Sequence, residues 1–149
     1  MSLRVAAQEA DFDVGAELAR LESLGGGGVA SFTGVVRGGD GLAALYLETH
    51  PAMAVRQLEA IGAEAMARWS LLGATLLHRH GRLAPGARIV LVATAARHRA
   101  AALEACAFLI DWAKTRAPFW KQEIGADGGT RWIEARAEDD SAAARWLRR

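Results

Sequence analysis

Sixteen of the eighteen basic residues are arginine, and the only two lysines, Lys114 and Lys121, both stand in "KTRAPFWKQE", residues 114–123. Arginine and lysine serve alike as solubilising charge, but only the lysine amine can lose a proton within reach of neutral pH. A lysine therefore acts as acid, base or nucleophile when burial or neighbouring cations lower its pKa, and Arg116 lies between these two. The pair marks a candidate catalytic centre, set against the plainer possibility of two surface lysines that fall together by chance.

A second constellation is "ARHRA", where Arg97, His98 and Arg99 stand at the junction of a strand and a long helix. Backbone N–H groups at a helix N-terminus favour anions, so two guanidiniums and an imidazole there suggest a phosphate or carboxylate site. A solvated helix start with salt bridges is the alternative. The third is "SFTGVVRGG", where Arg37 leaves a strand at a glycine turn and can reach across to a ligand. The "GGGG" at 25–28 matches neither a Walker nor a dinucleotide fingerprint.

Other features have plainer explanations. His78 and His80 share a strand face but lack a third ligand, so no metal site is expected. Glu48 and His50 read as a polar pair, and Cys106 in "LEACAFLI" as a small core residue. Trp120 could stack on a flat heterocycle or pack in the core. Glu138, Asp139 and Asp140 suit a helix start.

The elements that must position these residues follow from periodicity and turn chemistry. Strands are expected at 3–7, 28–37 and 42–50, the last two paired as a hairpin across "GGDG". Helices are expected at 13–24, with Asp13 as N-cap, and at 51–69, opened by Pro51. Strands at 73–83 and 87–96 flank an "APG" turn. The longest helix, about 97–116, is apolar on nearly every side and ends before Pro118. Short strands at 119–124 and 130–135 and a C-terminal helix complete an α+β class with a mostly antiparallel sheet.

At 149 residues the chain is expected to form one domain spanning 1–149, with a core that needs no metal or disulfide. A net charge of +1 offers no global attraction to nucleic acid or membrane. One cysteine excludes an internal disulfide, and the N-terminal residues do not read as a signal peptide. A cytoplasmic protein is expected.

Taken in order, "SFTGVVR", "LYLETHPAM", "LLHRHGRLAPG", "ATAARHRAAALEAC" and "DWAKTRAPFWKQE" resemble the catalytic (large) subunit family of molybdopterin synthase, over about residues 28–146. "KTRAPFWK" followed by an acidic residue is the most specific of these signatures. The resemblance implies an α/β-hammerhead-like fold with an additional antiparallel sheet, and a homodimer. Each end of that dimer would bind a small ubiquitin-like carrier whose C-terminal Gly-Gly is a thiocarboxylate, giving a heterotetramer. The implied reaction moves two sulfurs onto cyclic pyranopterin monophosphate to form the molybdopterin dithiolene, with no cofactor and no metal.

The resemblance further implies that Lys114 and Lys121 are the active-site lysines. Val35, Val36 and Arg37 would form a substrate-contact segment, His98 and Arg99 a substrate-binding pair, and Gln122 and Glu123 would follow the second lysine. Val35 stands where many relatives carry lysine, and "ETHPAM" replaces the commoner "EHYPGM". Two readings from other classes compete: a non-catalytic module that binds a phosphorylated metabolite, and a structural subunit of a hetero-oligomer.

Overall fold

The structure, a computed structural model, describes residues 2–133 and 137–148. Along the chain run β1 (Ser2–Gln8), α1 (Val14–Glu22), β2 (Gly28–Val35), β3 (Leu42–Thr49), α2 (Pro51–Arg68) and β4 (Gly73–Arg79). Then follow β5 (Gly81–Leu83), β6 (Arg88–Ala96), α3 (Arg99–Arg116), β7 (Phe119–Gly125), β8 (Thr130–Ile133), α4 (Ala137–Ala144) and a 3-10 turn (Arg145–Arg148). The class is α+β.

Two four-stranded sheets divide the strands. The first has the order β1-β4-β6-β2, with β1 parallel to β4 and the other pairs antiparallel. Its inner strands, "GATLLHR" and "RIVLVATAA", are apolar nearly throughout because both faces are covered. On one face Leu77, Leu91, Ala93 and Ala95 meet Phe12 and the α1 residue Leu21. On the other, Leu76, Val90 and Val92 join Leu58 and Ile61 of α2 and Ala105, Phe108 and Leu109 of α3. Each fully buried large side chain contributes about 2 kcal/mol from its removal from water.

The second sheet, β5-β3-β7-β8, is wholly antiparallel. The hairpin expected between residues 28–37 and 42–50 is therefore corrected: β2 pairs with β6, while β3 pairs with β5 and β7. Beyond β2, Val36 donates to the Ala87 carbonyl and accepts from Gly86, so the chain stays tied to the β5–β6 turn. The loop over 37–41 then carries it into the other sheet, with Gly39, Asp40 and Gly41 all at positive φ. The single strand expected at 73–83 is likewise divided. Gly81 adopts φ +89°, a left-handed turn that favours glycine, and β5 leaves for the second sheet.

Helix ends follow local chemistry. The Asp13 carboxylate accepts from the Ala16 N–H and caps α1. His50 caps α2 through Nδ1, which accepts from Met53, and Pro51 occupies the first turn. The small residues Ala102, Ala105 and Cys106 are all buried on α3. They allow α3 to lie close to β6: the Thr94 hydroxyl donates to the Ala102 carbonyl at 2.7 Å, and the Cys106 thiol sits 3.8 Å from the Val92 carbonyl. Burial pushes that thiol up to about 11, the behaviour of a core residue rather than a nucleophile. Near the C-terminus, Trp146 packs edge-on against Trp69 and Phe108, and its Nε1 donates to Asp111 at 2.8 Å. No helix among the described residues is long and apolar enough to cross a membrane.

Candidate active site

Lys114 lies in the last turn of α3. Pro118 disfavours helical geometry in the residue before it, and Ala117 is extended at φ −70°, ψ 129°. The chain reverses there, with the Phe119 N–H bonded to the Ala117 carbonyl and the Thr49 hydroxyl donating to the Pro118 carbonyl at 2.6 Å. It then enters β7, which carries Lys121 opposite Leu47 of β3 and Ile133 of β8.

Both lysines line one cleft of about 1210 Å³. Arg37 lines it as well, with Val35, Val36 and the glycine loop over 38–41 forming the opposite wall. Arg116, Arg131 and Glu123 complete the charged lining from the α3 end and the β7–β8 ribbon, together with Asp40, Asp127 and Asp139. Glu123 forms a charge-assisted hydrogen bond with Arg131, which raises the arginine pKa further. The Arg116 guanidinium lies 4.0 Å above the Trp112 ring. Such fixed cations suit an anionic ligand, and the lysines put titratable amines beside them.

Two sets of expected residues fall elsewhere. Gln122 is adjacent to Lys121 but does not line the cleft. Successive strand residues point to opposite faces, and Gln122 pairs with Trp132, which is 52% exposed, on the outer side of the sheet. His98 and Arg99 are exposed at the start of α3, where His98 takes the N-cap position without a side-chain capping bond. Fifteen residues of helix separate Arg99 from Lys114, a rise of about 22 Å. Within one chain, then, His98 and Arg99 do not share a pocket with the lysines.

Sequence reasoning gave His78 no role beyond a histidine pair and passed over Phe119, which lines the cleft. His78 is buried, and its ring stacks on Phe119 with centroids 3.6 Å apart. Burial drives its pKa down to about 3, aided by the positive charges of Lys114 and Lys121 and opposed by a hydrogen bond to the Arg79 carbonyl. Its "LLHRHG" context had suggested only a pair of strand histidines. Arg131 also went unremarked, for want of a signal in "GGTRW" beyond its charge. Among the described residues no group of three or more His, Cys, Asp or Glu side chains is placed to hold a metal ion.

Residues 7–116 match the family model described as MoaE protein, a span that reaches Lys114 and stops short of Lys121. Over a longer span, the molybdopterin synthase catalytic subunit of Mesorhizobium japonicum is 50% identical over 145 residues, covering 93% of this chain and 90% of the relative. The chain belongs to the molybdopterin synthase catalytic subunit family. Among solved members, molybdopterin cofactor biosynthesis protein E from Burkholderia multivorans superposes with a TM-score of 0.84 at 44% identity, covering 99% of this chain and 98% of that one. A complex of subunits 1 and 2 of molybdopterin-converting factor from Helicobacter pylori shares the fold. Its TM-score is 0.73 at 21% identity, covering 91% of this chain and 90% of that one. The catalytic subunits of molybdopterin synthase are enzymes, and their role lies in molybdenum cofactor biosynthesis.

Proposed function

We propose that the cleft joins two anionic reactants, the thiocarboxylate tail of a small ubiquitin-like carrier and cyclic pyranopterin monophosphate, and transfers sulfur from the first to the second. The observation that carries this is the meeting of Lys114 and Lys121, from a helix end and a strand, in one cleft with Arg37. At about 1210 Å³ the cleft exceeds the roughly 300–1,000 Å³ that serves one small ligand, which suits a peptide tail and a pterin together.

In this reading Arg37 and Lys121 hold the phosphate and pterin, with Val35 and Val36 beneath. Lys114 stands near the thiocarboxylate carbon as acid–base group and charge stabiliser. Sulfur addition needs proton movement and a counter-charge for the departing phosphate oxygen, and an ammonium provides both where guanidinium provides only charge. Glu123 orients Arg131 rather than the substrate directly. His98 and Arg99 contribute from the neighbouring subunit of a homodimer, and two carriers complete a heterotetramer in the cytoplasm. The Helicobacter complex of two subunits supports a carrier as partner.

The test is direct. Purified protein is incubated with thiocarboxylated carrier and cyclic pyranopterin monophosphate, and dithiolene product is measured. Product from the wild type and none from Lys114→Ala is expected. Binding of the pterin without any sulfur transfer would leave the non-catalytic metabolite module as the better description.

A further inference from the structure

An aromatic contact joins the two sheets at Phe119, a residue that lines the cleft. His78, next to last in β4, is 6% exposed and lies flat on Phe119 of β7, the ring planes 14° apart. Its Nδ1 is 2.8 Å from the Arg79 carbonyl oxygen. A carbonyl only accepts, so Nδ1 carries the proton, and the neutral ring keeps its lone pair on Nε2. Phe119 and Lys121 stand two residues apart on β7 and so share a face. The side chain that His78 grips is therefore the same-face neighbour of the second lysine.

Packing alone does not call for histidine here. A phenylalanine ring could stack on Phe119 as well, but could not donate to the Arg79 carbonyl and would lack the bond that fixes the ring plane. A donor on the ring edge locks the plane of the stack. Burial also penalises charge on the ring, and the charges of Lys114 and Lys121 oppose a further cation there.

We propose that His78 is a positioning residue for sulfur transfer: locked by the Arg79 carbonyl, it fixes Phe119 and thereby the point at which β7 presents Lys121 to the cleft. This rests on the reading of Lys121 as a catalytic residue.

Dithiolene formation is measured in single turnovers with thiocarboxylated carrier for His78→Phe, for Lys121→Ala and for the double variant. His78→Phe keeps an aromatic ring for the stack with a somewhat larger side chain, and a cooperative unfolding transition checks that the chain still folds. Its rate is expected to fall about tenfold or more, because a displaced catalytic group loses its near-attack geometry. The affinity for carrier is expected to stay the same. In the Lys121→Ala background the same substitution should change the residual rate by less than about twofold, since the residue it acts through is gone. Phe119→Leu removes the stack from the other side and should show the same dependence on Lys121, which covers a His78→Phe chain that fails to fold. A His78→Phe enzyme with the wild-type rate, or an equal loss with and without Lys121, overturns the positioning role alone. A Lys121→Ala enzyme with the wild-type rate overturns the catalytic reading of Lys121 and the positioning role together.

Discussion

Lys121 and Gln122 are neighbours in the chain, yet they lie on opposite faces of the second sheet. Lys121 pairs with Ile133, which packs against the core, and Gln122 pairs with the exposed Trp132. One peptide bond thus separates a residue of the cleft from a residue of the outer surface.

Substitution of these two should therefore diverge. Lys121→Ala is expected to lower the rate of dithiolene formation by about 10²–10³, the usual effect of deleting a preorganised charge at a reacting centre. Gln122→Ala should leave it unchanged within about twofold, as surface substitutions do. Single-turnover rates with saturating carrier read both.

Lys114→Arg keeps the positive charge and discards the titratable amine. The expected loss is about 10²–10⁴ in kcat, the range of general acid–base contributions, with little change in carrier affinity. Wild-type turnover by this variant would limit Lys114 to a charge-holding role.

The distance from Arg99 to Lys114 along α3 makes a prediction about assembly. Neither Lys114→Ala nor Arg99→Ala dimers should be active. After random exchange of equal amounts the mixture should regain about a quarter of wild-type activity, because about half the dimers are mixed and each of those holds one intact composite site. Mixed dimers shown to form without recovering activity would place the α3 N-terminus outside the site.

His78 links the fold to pH. Its pKa is about 3 in the folded chain against 6.5 for the free side chain. Between those values the unfolded chain binds the extra proton, so folding stability falls as pH drops from 6.5 toward 3. His78→Phe removes that contribution. Denaturant titrations across this window should show the wild type losing up to about 1.4 kcal/mol per pH unit more than the variant. Parallel curves would show that the ring charges without cost to the fold.

Much of this was legible in local chemistry. Asp13, Pro51 and Pro118 mark helix boundaries by mechanisms that act within a few residues, and α1 and α2 begin, and α3 ends, where those mechanisms place them. The two lysines stood out because their chemistry differs from that of arginine. Strand partnership was less legible: β2 and β3 look like a hairpin, but the pairing of β2 with β6 joins residues some sixty positions apart, and no short-range signal reports it. Geometry divides the candidate site residues in a similar way. A motif read as a string groups Lys121 with Gln122, whereas a pleated strand separates them. His98 and Arg99 lie a helix length of about 22 Å from Lys114 within one chain, a separation that a string of motifs does not show.

A single residue, His80, joins β4 in one sheet to β5 in the other. So short a joint leaves the layers little freedom to shear, and the His78–Phe119 contact pins them a few ångströms away. The floor of the cavity is thus a rigid chassis. In the proposed reaction, accommodation of the carrier tail would fall to the glycine-bearing rim at 38–41, where Leu42 donates to the Gly39 carbonyl and Ala126 to the Gly41 carbonyl.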